Sequence, residues 1–268
     1  MNQEVRTNFE EKVSYIARAL PGMTVNDRGN FLSVDCGLPS ATLNVTVIRE
    51  LSAPAQVLAL GVDPFTSKGF PMALWYWESD RDQAGMAALL QHGLVLAETN
   101  TAMEVSLSEI KRATPPPIAG LEIKRAETAN DLLQVGEMML ALFGDAEEGR
   151  AVCTYYRQLS EQPLSAFPAM HFYLGRLQRM VVATGMLFVG SQTVGVYDVA
   201  TRAHYRKRGI GSAMFGRLLQ DACTFQHRRC VLQASQDGLG IYVQAGFRPV
   251  GTVQVFENRG LLGLPAVG

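Results

Sequence analysis

Val199-Ala200-Thr201-Arg202-Ala203-His204-Tyr205-Arg206-Lys207-Arg208-Gly209-Ile210-Gly211-Ser212 reads as a strand that ends in a basic, glycine-containing turn and becomes a helix. The helix opens near Gly209. Phe215, Leu218, Leu219, Ala222 and Cys223 then recur at i, i+3, i+4, i+7 and i+8, which defines one buried face. A helix N-terminus carries unpaired N–H groups and a partial positive charge, so it holds anions. Gly209 and Gly211 have no Cβ and let a bulky anion approach the backbone. Arg206, Lys207 and Arg208 add cationic charge beside them. The segment therefore has the size and sign of a diphosphate cradle. Neither the nucleotide pattern G-x-x-x-x-G-K-[ST] nor the dinucleotide pattern G-x-G-x-x-G is present, and the strands upstream do not form a βαβ unit. A solvated basic turn that caps a helix is the competing reading.

Downstream of this stretch, Val231 to Ser235 reads as a strand, Leu239 to Ala245 as a short helix and Pro249 to Phe256 as a final strand. Upstream, His171 to Arg176, Met180 to Val189 and Thr193 to Thr201 are three successive strands, with Gly190-Ser191 as one of the turns. Asp131 to Phe143 and Glu147 to Leu159 are helices, and Leu121 to Arg125 a strand. Thr114-Pro115-Pro116-Pro117-Ile118-Ala119-Gly120 is expected to be a stiff linker, because three prolines neither continue a helix nor pair in a central strand. Before it, Phe9, Val13, Ile16 and Leu20 mark a helix over Asn8 to Leu20. Leu43 to Ile48 and Val57 to Leu60 read as strands. Met72 to Trp77 is a strand with Trp75 and Trp77 on one face, expected in the core. Ala84 to Gln91 is a helix that Gly93 closes, and Leu94 to Leu107 one or two strands. Gln91-His92-Gly93-Leu94 and Gln244-Ala245-Gly246-Phe247 each join a helix to a strand, which points to an internal duplication.

Arg206-x-x-Gly209-x-Gly211, placed after a strand, resembles the acyl-CoA-binding signature of the GNAT acetyltransferase superfamily, R/Q-x-x-G-x-G/A. Val199-Ala200-Thr201 is similar to that family's strand end. The downstream strand Leu232-Gln233-Ala234-Ser235, with Gly238, Tyr242 and Gly246-Phe247 beyond it, is similar to the family's as well. The resemblance covers roughly Leu121 to Asn258 and is weak over Met1 to Arg112. It implies an α/β (α+β) fold class: a mixed, mostly antiparallel sheet flanked by helices, with splayed central strands. The expected domains are residues 1–114, a degenerate GNAT-like copy without the cradle, and residues 120–268, the acyl-CoA-binding catalytic domain, in tandem. The N-terminal domain is expected to pack on the catalytic one and shape its acceptor side.

For chemistry, the resemblance implies transfer of an acetyl group from acetyl-CoA, as cosubstrate, to a primary amine on a small molecule or peptide. Thr193–Thr201 and Val231–Ser235 would splay to admit the pantetheine arm. The backbones of Val199 and Thr201 would pair with its amides, and the N–H near Val199 or Ala200 would polarise the thioester carbonyl. The N–H groups of Arg208, Gly209, Ile210, Gly211 and Ser212 would hold the diphosphate, with Arg206 and Lys207 beside it. Ser235 would bond the pantetheine or cap the helix near Asp237. Tyr242 would protonate the departing thiolate. Some relatives carry a glutamate base four residues before the position of Val199, but Gly195 stands there. Asp198 is the nearest carboxylate, although strand alternation puts it on the face opposite Gly195 and Val199. A water chain, or an amine that arrives deprotonated, would also serve. Tyr197 is expected to line the acceptor pocket. Arg202 and His204 are expected to be solvated loop charges, with the CoA phosphates as the alternative contact. A direct ternary-complex reaction fits the absence of a G-x-S-x-G elbow or a spaced Cys/His pair. The second reading is a CoA-binding regulatory module without turnover.

Composition excludes other classes. The 268 residues are 47% hydrophobic and 18% charged, with a formal net charge of −1, so nucleic acid is not an expected partner. Cys36, Cys153, Cys223 and Cys230 do not pair with His92, His171, His204 or His227 at ligand spacing, so no metal is expected. The polar start MNQEVRTNFEEK is unlike a secretory signal, and no apolar run approaches the ~18 residues of a membrane span. A cytoplasmic protein is expected.

Overall fold

The computed structural model describes residues 3–78, 83–110 and 117–264. In chain order its elements are α1 (Gln3–Ala17), β1 (Thr24–Asp27), β2 (Phe31–Asp35), β3 (Val45–Ile48), α2 (Pro54–Gly61), α3 (Asp63–Ser67), β4 (Ala73–Trp77), α4 (Gln83–Gln91) and β5 (Val95–Ser106). They continue with β6 (Leu121–Arg125), α5 (Ala129–Phe143), α6 (Glu147–Ser160), β7 (Met170–Leu177), β8 (Met180–Val189), β9 (Val194–Thr201), α7 (Ile210–Ala222), β10 (Arg229–Ala234), α8 (Leu239–Gln244) and β11 (Arg248–Glu257). The chain divides into two units, Met1–Ala102 with Val250–Gly268, and Met103–Pro249.

The first unit orders its strands β1-β2-β3-β4-β11-β5. Its core gathers Phe31, Ile48, Val57, Leu58, Val62, Phe65, Leu74 and Phe256 around α2 and α4. Val57 to Leu60 lies within helix α2, not in the expected strand. A four-residue apolar run does not distinguish the two states, and Pro54, preset for the first helical turn, tips the segment toward helix. Val57, Leu58 and Gly61 then form its buried side. The β1–β2 hairpin was not expected, although Asp27-Arg28-Gly29-Asn30 is a turn sequence: Gly29 has φ +80° and donates its N–H to Asp27 Oδ1 at 3.1 Å. Trp75 and Trp77 share a face, as expected, and stack on Phe9 of α1 with ring centroids 4.4 and 5.6 Å away.

The strand beside β4 comes from the end of the chain. Ala73 pairs with Glu257, Trp75 with Val255 and Trp77 with Val253, antiparallel. Asn258, fully buried, locks this arrangement. It accepts from Met72 N–H at 2.9 Å and donates to Phe70 C=O at 3.0 Å and Thr66 Oγ1 at 3.1 Å. The units therefore divide elsewhere than at the expected boundary between residues 114 and 120. Residues 250–268 belong with the first unit, and Met103–Ser106 of β5 with the second. A linear cut at the prolines misses this because sheet pairing joins segments distant in sequence. Of the proline segment, Thr114–Pro116 lies outside the described residues, and Ile118 packs on the core of the second unit.

The second unit orders its strands β5-β10-β9-β8-β7-β6. β6 with β7, β7 with β8 and β8 with β9 pair antiparallel, and β9 with β10 in parallel. Helix α7 lays Met214, Phe215, Leu218, Leu219 and Ala222 on one face of this sheet, against Ala183, Leu187, Val194, Val196 and Leu232. Helices α5 and α6 cover the other face. Tyr173 joins the α7 cluster while its neighbour Phe172 meets the Tyr156 ring of α6 edge-on at 5.9 Å, as strand alternation requires. Helix α5 begins at a capping box: Asp131 N–H donates to Thr128 Oγ1 and Thr128 N–H to Asp131 Oδ2, at 3.1 and 3.0 Å.

Candidate functional site

The junction from β9 to α7 has the shape its sequence suggests. Lys207 and Gly209 both adopt left-handed backbone, with φ +59° and +78°, so the chain winds tightly into the helix. Gly209 is the N-cap, and no side chain caps this end. The first intrahelical bond runs from Ala213 N–H to Gly209 C=O at 2.9 Å, which leaves the N–H groups of Ile210, Gly211 and Ser212 directed at the loop. Successive N–H groups presented in this way form an anion-binding concavity. Glycine costs a helix ~1 kcal/mol relative to alanine. Nothing in the unit's own packing demands it at Gly211, where an added Cβ would make only ordinary contact with Thr201 Oγ1 at 3.5 Å. An alanine would fit there against Thr201 and Ile241, so the unit's own packing does not account for the glycine.

Charge surrounds this opening. Arg206, Lys207 and Arg208 are exposed. Arg206 Nε donates to Thr201 C=O at 3.2 Å, tying the cradle to the end of β9. The Arg208 guanidinium lies 5.4 Å above the Tyr205 ring. Arg202 is turned away, with Nε bonded to Val181 C=O at 2.7 Å. It joins exposed His204, Tyr205, Arg208, Met180 and Ala141 around a separate cleft.

Beside the cradle, β9 and β10 part. They pair in parallel only at Val194 with Cys230 and Gly195 with Val231, although both strands continue beyond. On its other side β9 stays paired to β8 through Thr201. Arg202 N–H donates to Val182 C=O at 2.9 Å, and Ala200 sits opposite Thr184 two places on. Alternation within an antiparallel ladder therefore aims the backbone of Ala200 into β8, and the backbones of Val199 and Thr201 toward the gap. Of the two N–H groups suggested for polarising a thioester carbonyl, Val199 has the required direction and Ala200 does not.

The parting has a local cause. The β8–β9 register slips between Thr184 and Met186, where an extra residue of β9 bulges. Asp198 takes the left-handed conformation there, φ +52°. Asparagine and aspartate tolerate that region best among residues with a Cβ, yet it remains uncommon. The bulge reverses the alternation on which the expected facing of Asp198 rested. Val199 packs toward the α7 core with Val194 and Val196, while Asp198 turns to the other face, where, after burial itself, its charge helps hold the Tyr156 phenol of α6 above its ordinary pKa. Asp198 thus stays opposite Val199, as expected, but shares the side of Gly195, which alternation denied it. Tyr197 beside it is buried. Tyr156 was not recognised from sequence. It is legible as a core position of an amphipathic helix, but the strand residue whose charge reaches it is faced there only by the bulge.

Tyr242, on α8, packs edge-on against Phe215 of α7 at 4.8 Å between ring centroids, and its ring leaves no room for a side chain at Gly238. Burial raises the pKa of its phenol above the ordinary value, so it is fully protonated at neutral pH. Ser235 is exposed at the end of β10. Its carbonyl, rather than its hydroxyl, anchors the start of α8 by accepting from Gly238 and Leu239 N–H, both at 3.1 Å. Among the described residues no group of three or more His, Cys, Asp or Glu side chains is placed to hold a metal, and no helix is long and apolar enough to cross a membrane.

Comparison with solved structures shows the same fold along almost the whole chain. A GCN5-related N-acetyltransferase from Kribbella flavida superposes with a TM-score of 0.64 at 18% identity, covering 95% of this chain and 96% of the other. A tandem GNAT protein from the clavulanic acid biosynthesis pathway gives 0.60 at 10% identity, with coverages of 95% and 94%. A GCN5-related N-acetyltransferase from Sphaerobacter thermophilus gives 0.59 at 13%, with 98% and 92%. No curated protein sequence matches the chain. Residues 110–237 match the model of the acetyltransferase (GNAT) domain. Over residues 110–237, then, the chain carries a GNAT acetyltransferase domain.

Proposed function

We propose that the second unit transfers an acetyl group from acetyl-CoA to a primary amine of a small molecule or peptide, by direct attack within a ternary complex. The observation that carries this reading is the gap between β9 and β10 opening beside an uncapped, glycine-lined helix N-terminus. A pantetheine arm needs an unpaired strand edge, and a diphosphate needs converging N–H groups. The two lie at opposite ends of Val199–Ser212.

In this reading the N–H groups of Ile210, Gly211 and Ser212 hold the diphosphate, with Arg206, Lys207 and Arg208 adding charge and Ser235 flanking the arm. The backbones of Val199 and Thr201 hold the pantetheine amides. The Val199 N–H stabilises the oxyanion that forms as the amine lone pair attacks the thioester carbon. Removing one such donor elsewhere costs about 3 kcal/mol. As the new C–N bond forms and the C–S bond breaks, Tyr242 supplies a proton to the sulfur and Asp198 accepts one from the nitrogen. A cytoplasmic setting, where acetyl-CoA is available, goes with this activity.

Calorimetric titration of the full chain with acetyl-CoA, followed by a thiol-release assay over a panel of primary amines, tests the proposal. The expected result is micromolar binding and release of one thiol per amide formed. Absence of binding would reduce the cradle to a helix end. Binding without turnover on any amine would favour the regulatory module.

A further inference from the structure

We propose that Gln233 selects the amine acceptor, its side-chain amide nitrogen donating to a carbonyl or carboxylate oxygen that the acceptor carries next to its amine. The acceptor class is then the α-amino end of an amino acid or of a peptide. The proposal rests on the acetyl-transfer reading and deepens it by naming that class.

The two parting strands place this residue. Cys230, Leu232 and Ala234 of β10 belong to the core under α7, so Val231 and Gln233 lie on the opposite face. On β9, Val194 and Val196 belong to the same core, so Gly195 and Tyr197 share the face of Gln233. Gly195 and Val231 are the last partners before the strands part. Tyr197 and Gln233 each stand two residues further on, and so flank the gap at its narrow end. The Val199 N–H, which in the transfer reading meets the thioester carbonyl, lies beyond Tyr197 by roughly 6 Å of strand rise. The Gln233 side chain therefore reaches toward the carbon that the amine attacks.

The amide is a second, independent observation. Gln233 Nε2 is shut off from solvent and has no hydrogen-bond partner. Its surroundings are largely closed: Val231, on the same face, is fully buried, and Tyr197 is 7% exposed. A buried donor left without an acceptor destabilises the fold, and an apolar side chain of similar size would avoid that loss. A partner that arrives with the ligand accounts for the glutamine. The same face carries Asp198, turned there by the bulge. An acceptor at Asp198 and a donor at Gln233 complement a group with N–H at one end and C=O a few bonds away, which is an α-aminoacyl unit. An alkylamine or polyamine brings N–H groups and no oxygen, and leaves the Gln233 nitrogen stranded. Gln233 is uncharged and moves no proton; it holds the oxygen while the C–N bond forms and the C–S bond breaks.

The test uses the full chain, acetyl-CoA and matched amines that differ only in a carboxamide: alaninamide with ethylamine, leucinamide with 3-methylbutylamine, and phenylalaninamide with 2-phenylethylamine. Thiol release gives kcat/KM, expressed per unprotonated amine, and calorimetry gives acetyl-CoA affinity. The free acids alanine, leucine and phenylalanine form a third arm; whichever of acid and amide reacts faster identifies an amino acid or a peptide end as the source. In the wild type the best oxygen-bearing acceptor should exceed its plain amine by more than about tenfold. Gln233→Leu, similar in size and unable to donate, should remove most of that advantage. It should leave the plain amine and acetyl-CoA affinity within about twofold, and should not lower the thermal midpoint, since an unpaired buried donor is gone. A wild type that acetylates the plain amines as well as their oxygen-bearing counterparts would overturn the proposal, and this comparison needs no variant. So would a wild type that acetylates other amines and none of these nine compounds, or a Gln233→Leu chain that slows both members of a pair alike. A wild type that fails to bind acetyl-CoA, or binds it and acetylates no amine at all, would instead remove the acetyl-transfer reading, and the proposal with it.

Discussion

In the first unit β3 and β4 run parallel and pair without interruption, from Val45 with Ala73 to Ile48 with Tyr76. In the second, β9 and β10 make the same parallel pairing across a helical connection, but share only two partners before they part. The junctions after β3 and β9 differ as well. After β3 the chain reads Arg49-Glu50-Leu51-Ser52-Ala53-Pro54 and enters α2 on a proline, which has no N–H to offer. Arg49 is engaged internally, 2.9 Å from Glu10 and 2.6 Å from Asp27. After β9 the chain offers three exposed cations, two left-handed residues and a helix start with its N–H groups directed outward. The comparison teaches that this fold makes the junction, and that a bulge in one strand and a glycine at the second helical residue turn it into a site.

The sharpest way to break the comparison is to block each junction in turn. Gly211→Trp puts a bulky side chain into the helix start of the cradle and should weaken acetyl-CoA binding by more than about a hundredfold, roughly 2.7 kcal/mol. The corresponding Ser52→Trp change, at an exposed position before α2, should leave calorimetric affinity unaltered. Equal losses in the two variants would make the first unit a binding site too.

A smaller effect separates the two helix glycines. Gly136→Ala drives a Cβ to 2.9 Å from Tyr156 Cβ, where neither helix yields easily, and should cost about 1–3 kcal/mol in chemical denaturation. Gly61→Ala in the first unit meets side-chain atoms at its nearest approaches, of Thr46 at 3.0 Å and Phe31 at 3.3 Å, with no backbone atom or Cβ among them. Its helix-propensity gain should keep the change within about 1 kcal/mol.

Acid should act on the second unit through His171. Its buried ring, beside Phe225 at 4.9 Å, has neither nitrogen hydrogen-bonded, and burial, with Arg125 adding to it, lowers its pKa from 6.5 to about 4. The unfolded chain takes up this proton near pH 6.5 and the folded chain only near 4, so stability is present above that window and lost as pH falls through it. His171→Phe should flatten the decline in thermal midpoint between those two pH values; an unchanged slope would clear His171 of the effect. The smallest expected change is Ser235→Ala. Its hydroxyl caps no helix, so stability should stay within about 0.5 kcal/mol, and any fall in acetyl-CoA affinity would then report a bond to the arm.

Much of the second unit was legible because its signals are local. The strands and helices from Leu121 to Ala245 follow periods of two and 3.6, and the cradle is a run of neighbours whose chemistry depends on the next turn of chain and little else. Val57–Leu60 was misread because four apolar residues carry no period. Asp198 was placed on the face opposite Gly195 because alternation is a rule for regular strands, and a bulge is an exception set by how β8 and β9 dock.

By itself, then, the amino-acid sequence determined the anion-binding junction, the order of elements in the C-terminal half and the phenol at Tyr242, all of them consequences of residues within a few positions of one another. Tertiary structure alone decided that β11 pairs with β4, that β9 and β10 part beyond Gly195, and that Phe9 packs on Trp75. Each of these joins segments far apart in the chain, and the energy that selects them comes from burying a shared core and satisfying backbone hydrogen bonds across it, which no local window of sequence contains.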